Sequence, residues 1–522
     1  MSIKNLIIIN SQKRIDIHEE NSSYINIGNG IINNLNSNKI NLSSYRKANY
    51  PKYKNLFTKK LFEKIKNSEK KIPFIYELEI FNLRNDQNTN IDLILNIQLI
   101  KEIIKKEKFK KITVITDNKL TKDLFQQINS KIKILYSGSY FSAPKLTLLK
   151  IIKHYFKAFF IVICAKLFSK IDLSSSKFNE ACLSIYPTFY KKKEKFFDDD
   201  KKIKFNFLLT DETHLNLSFI KIIKIISQNK NKNLIHIENF ITFTSFMNAF
   251  LKSIFYYFKT LKLNFRLNIN NLDLSKFYEE YIYSSLVNRL KLNIYEEPII
   301  IVLKKFKIKT FNLYLFEYNF GFFLINLIKK KINNIKIIGY QHGIFSDQLL
   351  WLDLILKNKD KHKYLPNEIK SFNFQSFFDY KKKINSKKIK FSLVKKHEST
   401  LVGEYNRSND KKYSNNLLVL PGTHDVKEIY SAIKEKTSHK KNKKIFFLKF
   451  HPKKKLTVKD TNNLKIINTI KNMKFSNVLI SPTSTLVYDF MNSKKSFMVY
   501  NIDYKKSLIS DKLKNKIKFY YF

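Results

Sequence analysis

The chain has 522 residues, 44% of them apolar, so it is long enough for several domains with buried cores. Its two cysteines, Cys164 and Cys182, are too few for a disulfide framework or a cysteine-rich zinc site. The longest uninterrupted apolar run is the eight residues 158–165, which is shorter than a membrane span, and no signal-peptide core is recognisable. These features predict a multidomain globular protein of the cytoplasm.

The strong positive charge has two explanations. The chain carries 97 Lys and Arg against 43 Asp and Glu, a net charge of +54. A polyanionic partner such as nucleic acid or an acidic membrane would account for it. A compositional bias toward Ile, Asn, Lys, Phe and Tyr is favoured, because it also explains the excess of Asn and Ile. A basic surface would nevertheless attract anionic lipid, and segment 146–171 is read either as an amphipathic membrane helix or as a buried one.

The first part of the chain alternates strand and helix patterns. Strands are predicted at 110–117 and 131–137 with a helix between them, and a Lys/Asp-rich stretch at 191–202 is interpreted as an exposed linker. A strand at 203–212 ends in carboxylates. Further predicted elements are a helix and strand up to residue 237, two long helices at 243–262 and 276–293, a strand at 309–317, a helix at 319–331 and a strand at 334–340.

After a less regular stretch at 344–398, the alternation resumes in a compact final region. Strands are predicted at 415–420, 444–450, 477–480 and 496–502, the last of the chain, and helices at 426–435, 464–473 and 486–493. Short apolar strands alternating with helices are typical of parallel sheets covered on both faces. We therefore predict an α/β protein with two doubly wound, Rossmann-like domains facing a cleft. Their bounds are 1–395 and 396–522, with a sub-boundary near 190–202.

Three short motifs follow predicted strands, where ligands of doubly wound sheets bind. Gln341-His342-Gly343 follows the strand at 334–340, and the glycine would let the backbone turn so that the Gln and His side chains are exposed as polar donors. A core histidine is the alternative. Lys449-Phe450-His451-Pro452 ends another strand, where proline stops the strand and the imidazole can donate to a phosphate, with Lys449 adding positive charge. A plain loop start is the alternative.

The third motif is the hydroxyl-rich segment Ser481–Thr485. A helix is predicted to begin near Ser484, so these hydroxyls either cap that helix or, together with its free N–H groups, bind an anion. The segment comes one strand-helix step after the histidine strand. We therefore expect His451 and Ser484–Thr485 to lie at the ends of adjacent parallel strands and to form a joint phosphate site.

Taken in order, "GYQHG", "KFHP" and "SPTSTLVYDF" resemble motifs of the bacterial surface-polysaccharide glycosyltransferases of the GT-B fold. That group includes capsule Kdo transferases, sialyl- and polysialyltransferases and CDP-glycerol glycerophosphotransferases. The layout of the chain most resembles the surface carbohydrate biosynthesis proteins. The resemblance covers roughly residues 310–505 and implies two domains, one for the acceptor and one for the donor nucleotide.

The resemblance also implies roles for individual residues. His451, Ser484 and Thr485, together with Thr483, would hold the phosphates of the donor nucleotide. His342 follows the strand at 334–340 in the other domain, and from that position we expect it at the cleft on the acceptor side. The related sialyltransferases use an acidic pair followed by glycine as general base; here Asp211-Glu212 is followed by Thr213, and Glu317 is the other candidate.

Other signals for cofactors are weaker. Asp198–Asp200 resembles a metal-binding Asp-x-Asp motif, but lysines surround it and no strand precedes it. Gly28-Asn29-Gly30 begins a dinucleotide-binding pattern whose third glycine is missing. Neither Walker A nor zinc-ligand spacing is present. We therefore expect no metal and no cofactor, with the nucleotide-sugar as a substrate.

The sequence thus predicts a metal-independent glycosyltransferase of surface polysaccharide synthesis. Its partners would be a nucleotide-activated sugar and a glycan or lipid-linked saccharide acceptor, with peripheral contact to an anionic inner membrane and no specific nucleic acid. Two alternatives stay open. One is transfer of a phosphopolyol from a CDP-linked donor by the same fold. The other is a non-catalytic basic protein that binds membrane or nucleic acid.

Overall fold

The computed structural model describes most of the chain in segments. These are residues 5–11, 15–16, 22–28, 32–33, 38–40, 42–78, 89–138, 143–168, 178–183, 202–209, 219–227, 233–315, 319–332, 334–341, 345, 350–358, 360–394, 400–422, 425–438, 443–450, 460–501 and 516–521.

The first sheet has five parallel strands in the order β5-β3-β1-β6-β7. A separate two-stranded pair is formed by β2 and β4. The elements of this region are β1 (Asn5–Asn10), β2 (Ile15–Asp16), β3 (Ser22–Asn26), β4 (Ile32–Asn33), β5 (Asn38–Lys39), α1 (Ser43–Ser68), α2 (Thr89–Lys106), β6 (Ile112–Thr116), α3 (Lys119–Ile128) and β7 (Lys133–Tyr136).

The second sheet has seven parallel strands in the order β10-β9-β8-β13-β14-β15-β16. Its region contains α4 (Ala143–Phe168), β8 (Glu180–Leu183), β9 (Ile203–Asn206), α5 (Phe219–Ser227), β10 (Leu234–His236), α6 (Phe243–Leu261), β11 (Asn268–Ile269), β12 (Leu272–Asp273), α7 (Ser275–Lys291), α8 (Glu296–Lys305), β13 (Thr310–Leu315), α9 (Asn319–Lys331), β14 (Lys336–Gln341), α10 (Leu350–Leu356), β15 (Glu368–Ser371), α11 (Phe374–Ile384) and β16 (Lys390–Leu393).

The third sheet has six parallel strands in the order β20-β19-β18-β22-β23-β24. Its region contains α12 (Thr400–Glu404), β17 (Asn406–Arg407), β18 (Asn416–Leu420), α13 (Val426–Ser438), β19 (Ile445–Leu448), β20 (Leu464–Ile466), β21 (Lys474–Phe475), β22 (Asn477–Ile480), α14 (Leu486–Asn492), β23 (Met498–Asn501) and β24 (Lys518–Tyr521).

The α/β class and the parallel sheets agree with the prediction from sequence, but the described residues form three large sheets where two doubly wound regions were predicted. In each sheet the strand that comes first in the sequence is an interior strand. The next strands are added on one side of it, and the remaining strands are added on its other side. Counted by appearance, the third sheet reads 3-2-1-4-5-6, which is the Rossmann order. Each sheet therefore has a point where the strand order reverses.

Buried apolar side chains form one large core, two smaller ones and a minor fourth cluster around Ile7 and Ile9 of β1. The large core is continuous from Leu6 in β1 to Ile389 beside β16, so the first and second sheets share it. The two smaller cores lie on the two faces of the third sheet and hold, for example, Val478 and Leu479, neighbours on β22. Successive residues of that strand thus point to opposite buried faces, as in a sheet covered by helices on both sides.

Two predicted elements of the last region are wrong. Residues 464–473 were predicted as a helix, but Leu464–Ile466 is strand β20, because its backbone pairs with Phe446–Leu448 of β19. The apolar spacing of this segment fits both structures, and sheet pairing decides between them. In addition, β24 follows the strand predicted to be the last and pairs with it.

The Lys/Asp-rich segment 191–202 comes between β8 and β9, which are neighbours in the second sheet. No helix in the described part of the chain is long and apolar enough to cross a bilayer.

Candidate functional site

The third sheet has a crevice where its strand order reverses. From β18 the chain proceeds to β19 and β20 on one side and then returns to β22 on the other side. Connections that leave neighbouring strands in opposite directions open a gap at their carboxyl ends, where ligands of open α/β sheets bind. Here Pro421-Gly422 follows β18 and the Ser481–Thr485 segment follows β22. The hydroxyl-rich motif therefore lies at the reversal point.

A buried carboxylate joins the two connections. Asp425 precedes α13 and is only 1% exposed. Its carboxylate accepts hydrogen bonds from the Gly422 N–H (2.7 Å), the Ser481 hydroxyl (2.6 Å) and the Tyr500 hydroxyl (2.7 Å). Burial and the adjacent Asp425 raise the pKa of Tyr500 well above its ordinary value, so this phenol stays a donor. Asp425 thus ties the loops after β18 and β22 to strand β23.

The same two loops meet so closely that Gly422 has no room for a side chain. A Cβ there would lie 2.6 Å from the Thr483 hydroxyl and 2.9 Å from the Ser481 hydroxyl. Those two hydroxyl oxygens are themselves 2.9 Å apart, and the Ser481 hydroxyl also accepts from the Thr483 N–H. The turn after β22 is therefore fixed by its own hydroxyls, by Asp425 and by the close backbone of Gly422.

The remaining hydroxyls of the motif face the start of α14. Ser484 and Thr485 are half-buried, and the Ser484 hydroxyl accepts from the Leu486 N–H at 3.3 Å. Thr485 occupies the residue before the helix but makes no side-chain capping hydrogen bond. Helix α14 begins at Leu486, the start of the helix predicted at 486–493 and two residues after Ser484. Helix capping therefore accounts for the Ser484 hydroxyl but leaves the Thr485 hydroxyl available for another partner.

The histidine strand is not adjacent to the hydroxyl motif. We predicted neighbouring strands, but β18 lies between β19 and β22. All three are parallel, so their carboxyl ends share one edge, with the two outer strands roughly 10 Å apart at ordinary strand spacing. Lys449 follows β19, and its ammonium donates to the Asn468 carbonyl, beyond β20. That contact draws the lysine to the side of β19 away from β22.

Gln341 was predicted to be an exposed donor, and this is wrong. It ends β14 and is completely buried. Its side-chain amide donates to the Ser376 hydroxyl (2.9 Å), and its carbonyl oxygen accepts from the Phe372 N–H (3.4 Å). Within β14, Gly339 packs against the Pro366 ring, where a Cβ would approach to 2.9 Å. The turn before α11 thus covers the end of β14.

The same turn contacts the third sheet. The Ser376 side chain lies close enough to Tyr488 in α14 to lower the pKa of its hydroxyl, and the rings of Phe372 and Tyr488 lie 6.0 Å apart at 76°. Burial and, to a smaller extent, the carboxylate of Asp379 raise the pKa of Tyr488 above its ordinary value. Phe372 itself belongs to a core of the third sheet. The end of β14 and the helix after the hydroxyl motif are therefore linked by Gln341, Ser376 and Tyr488.

A second buried carboxyl lies at the carboxyl ends of β9 and β10. Glu238 accepts from the Leu208 N–H (2.7 Å) and from the Tyr295 hydroxyl, which in turn accepts from the Leu209 N–H (3.0 Å). Burial, opposed by these hydrogen bonds, raises the pKa of Glu238 to about 7. Leu208 and Leu209 lead toward Asp211-Glu212. Glu238 therefore anchors the chain just before the predicted acidic pair.

Several predicted site residues lie outside the described part of the chain. They are His342, Glu317, Asp211, Glu212 and His451. Of the predicted phosphate-binding residues, the structure describes Lys449, Thr483, Ser484 and Thr485, and it brings Thr483 together with Gly422 and Asp425. Asp425 was missed because "PGTHD" reads as an ordinary turn. One sequence signal could have identified it: Asp425 stands directly before the helix that follows the first strand of the last predicted region.

No group of three or more His, Cys, Asp and Glu that could hold a metal ion occurs among the described residues. A scan against models of known protein families gave no match to the chain, and a search of curated proteins gave none either.

Proposed function

We propose that the protein is a glycosyltransferase that moves a sugar from a nucleotide-activated donor to a glycan or lipid-linked acceptor. The observation that carries this proposal is the rigid, hydroxyl-rich turn Ser481–Thr485 at the strand reversal of a Rossmann-ordered sheet. The Thr485 hydroxyl, which makes no capping hydrogen bond, is held at this crevice and suits a phosphate of a nucleotide. The resemblance of the motifs assigns the same segment to the donor phosphates.

We further propose a GT-B-like arrangement, in which residues 1–395 bind the acceptor and residues 396–522 bind the donor. Support comes from the contacts of Gln341 with Ser376 and of Ser376 with Tyr488. They connect the carboxyl end of β14 to the helix that follows β22. Strand ends of two different sheets then approach one another, as a shared donor-acceptor cleft requires. His342 directly follows Gln341 and would lie at this junction.

The chemistry would be displacement at the anomeric carbon of the donor sugar. A carboxylate of the Asp211-Glu212 pair, or Glu317, would take the proton of the acceptor hydroxyl as that oxygen forms the new glycosidic bond. The bond from the sugar to the nucleotide phosphate breaks, and the phosphate leaves with the electron pair. His451 and the hydroxyl turn would donate hydrogen bonds to the leaving phosphate and stabilise its growing charge.

The first test is nucleotide binding by histidine variants. Thermal shifts with CMP-, UDP-, GDP- and CDP-linked sugars identify the donor, which is then titrated against His451→Ala and His342→Ala. Loss of one charge-assisted hydrogen bond costs about 1.5–3 kcal/mol, so His451→Ala should weaken nucleotide binding roughly ten- to a hundredfold. His342→Ala should lower turnover while leaving nucleotide affinity nearly unchanged, because it is assigned to the acceptor side.

His362→Ala is the matched control. This histidine precedes β15 in the second sheet, so it lies at the amino ends of those strands, away from the carboxyl ends assigned to the cleft. It should bind nucleotide like the wild type. If no activated sugar shifts the melting temperature, or if His451→Ala binds and turns over normally, the proposed donor site is wrong.

The second test concerns divalent metal. Activity should persist in excess EDTA, because the proposed site stabilises the leaving phosphate with protein donors. Turnover is measured before and after chelation and again after adding Mg²⁺ or Mn²⁺. Activity that disappears in EDTA and returns with either metal would contradict the assignment.

A further inference from the structure

Two neighbouring helices carry most of the exposed apolar side chains. Of the 21 large apolar side chains that are exposed in the described part of the chain, 15 lie on α4 and α6. With about half of its surface exposed, each contributes on the order of 100 Å², which gives a patch on the order of 1,000 Å². Monomeric soluble proteins rarely expose apolar patches above a few hundred Å², so this surface calls for a partner.

Helix α4 is apolar on both sides. Its buried side, which includes Ile151, Tyr155 and Ala158, packs into the large core. A second stripe with helical spacing is exposed and consists of Leu149, Ile152, Phe156, Phe160, Ile163 and Leu167. A helix that is apolar all round is normally buried all round. The exposed half of α4 therefore has the composition of a buried surface.

Helix α6 has the reverse of the usual amphipathic pattern. Its buried side is rich in small and polar residues, including Ser245, Ser253 and Thr260. Its exposed side carries Phe243, Met247, Leu251, Phe255, Phe258 and Leu261. A surface helix of a globular protein ordinarily points its polar side to water. Core packing does not explain these large side chains, because they point away from the core.

The two helices are joined by contacts that run from an exposed ring of α4 to buried residues of α6. The ring of Phe159 lies 5.9 Å from that of Phe246 in α6 and 5.8 Å from that of Phe160 in the exposed stripe of α4. Between the helices, the Tyr155 hydroxyl donates to the Ala249 carbonyl at 3.1 Å. The helices are therefore packed side by side, and their apolar sides form one surface, here called the α4–α6 surface.

The charge of this surface has one sign. Lys150, Lys153, Lys157 and Lys166 are exposed along α4, and the ammonium of Lys259 lies 4.5 Å from the centroid of the Phe255 ring in α6. At the chain average of 43 acidic residues in 522, two helices of 26 and 19 residues would carry about four, but they carry none. Apolar side chains interleaved with lysines, on helices that carry no carboxylate of their own, suit an anionic lipid interface.

We propose that the α4–α6 surface docks the protein on an anionic bilayer. The large apolar side chains would enter the boundary between headgroups and acyl chains while the lysines contact the phosphates. A second copy of the chain fits the surface less well, because a symmetric pairing would place lysines against lysines with no carboxylate between them. This inference is independent of the proposed activity, since lipid binding is measured without substrate.

The test is flotation of the full chain with vesicles. Wild type should bind vesicles of equal parts phosphatidylglycerol and phosphatidylcholine, and bind pure phosphatidylcholine far less. The double variant Phe156→Ser/Phe160→Ser should lose about tenfold or more in affinity for the anionic vesicles. The two phenylalanine side chains that it removes are 68% and 43% exposed in the wild type, so the core is left intact.

A matched control exists on α11. Phe374 and Phe378 have the same spacing, are 63% and 46% exposed, and form a similar edge-to-face pair at 4.7 Å, compared with 5.0 Å for Phe156 and Phe160. Phe374→Ser/Phe378→Ser should bind vesicles like the wild type. Equal losses in both double variants, or no binding of wild type to anionic vesicles, would overturn the proposal.

Two further measurements keep the proposal falsifiable. Phe160→Trp should show fluorescence quenching by brominated phosphatidylglycerol beyond that of the wild type, whose one tryptophan is Trp351. Absence of added quenching would exclude insertion at this helix even if the serine variant fails to fold.

Light scattering reports the oligomeric state. If Phe156→Ser/Phe160→Ser turns a dimer into a monomer and leaves vesicle binding unchanged, the surface is a subunit interface instead.

Discussion

Replacing Arg289 by leucine is expected to lower the free energy of unfolding by about 3–5 kcal/mol. Arg289 is buried in α7, where its Nε donates to Glu77 (2.5 Å) and its Nη1 donates to Asn293 (2.7 Å). Its guanidinium carbon lies 4.6 Å and 4.7 Å from the ring centroids of Phe74 and Phe323. Leucine would fill part of the space but leave the buried Glu77 carboxylate without its cation, which is the source of the loss.

The measurement is urea unfolding monitored by circular dichroism. Lys119→Gln is the control, because it breaks an exposed ion pair with Glu280 (3.4 Å) that should contribute less than about 1 kcal/mol. A double variant, Arg289→Leu/Glu77→Leu, should lose less than the sum of the two single changes, since it removes the unpaired charge. An Arg289→Leu midpoint as close to wild type as that of Lys119→Gln would show that the buried pair does not stabilise the fold.

Much of the fold follows from local pattern, and the rest depends on distant pairing. Helix α9 has the predicted bounds, and α6 and α7 lie within two residues of theirs, because their apolar periodicity is long and regular. Periodicity does not say which strands are neighbours. The order of the third sheet, which separates the histidine strand from the hydroxyl strand by β18, is set by tertiary packing. For the same reason, three sheets were not distinguished from two.

The candidate site was predictable to the same extent. The hydroxyl motif is recognisable because Ser and Thr between a strand and a helix are an unusual cluster in an apolar stretch. The role of Gln341 was not recognisable from sequence. A polar residue at a strand end is expected to be exposed, and only the structure shows that Ser376 and Phe372 cover it. Asp425 was missed because its three donors come from Gly422, Ser481 and Tyr500, which are as many as 75 residues away in sequence.

Replacing Asp425 by alanine is expected to destabilise the third sheet and to weaken nucleotide binding together. The change leaves the Gly422 N–H and the hydroxyls of Ser481 and Tyr500 buried without their acceptor, at about 1–3 kcal/mol each. Urea unfolding should therefore show a loss of about 3 kcal/mol or more. The turn that holds Thr483 would also lose its anchor, so affinity for the activated sugar should fall about tenfold in the protein that remains folded.

Tyr500→Phe separates these two effects. It removes one donor to Asp425 but leaves the carboxylate bonded to Gly422 and Ser481, so stability should fall by only about 1 kcal/mol and nucleotide affinity should stay close to wild type. Calorimetric titration of both variants below their unfolding transitions gives the comparison. If Asp425→Ala binds nucleotide as tightly as Tyr500→Phe does, Asp425 only stabilises the sheet. A loss of affinity confined to Asp425→Ala instead means that the two loops must be held together for the hydroxyl turn to bind a phosphate.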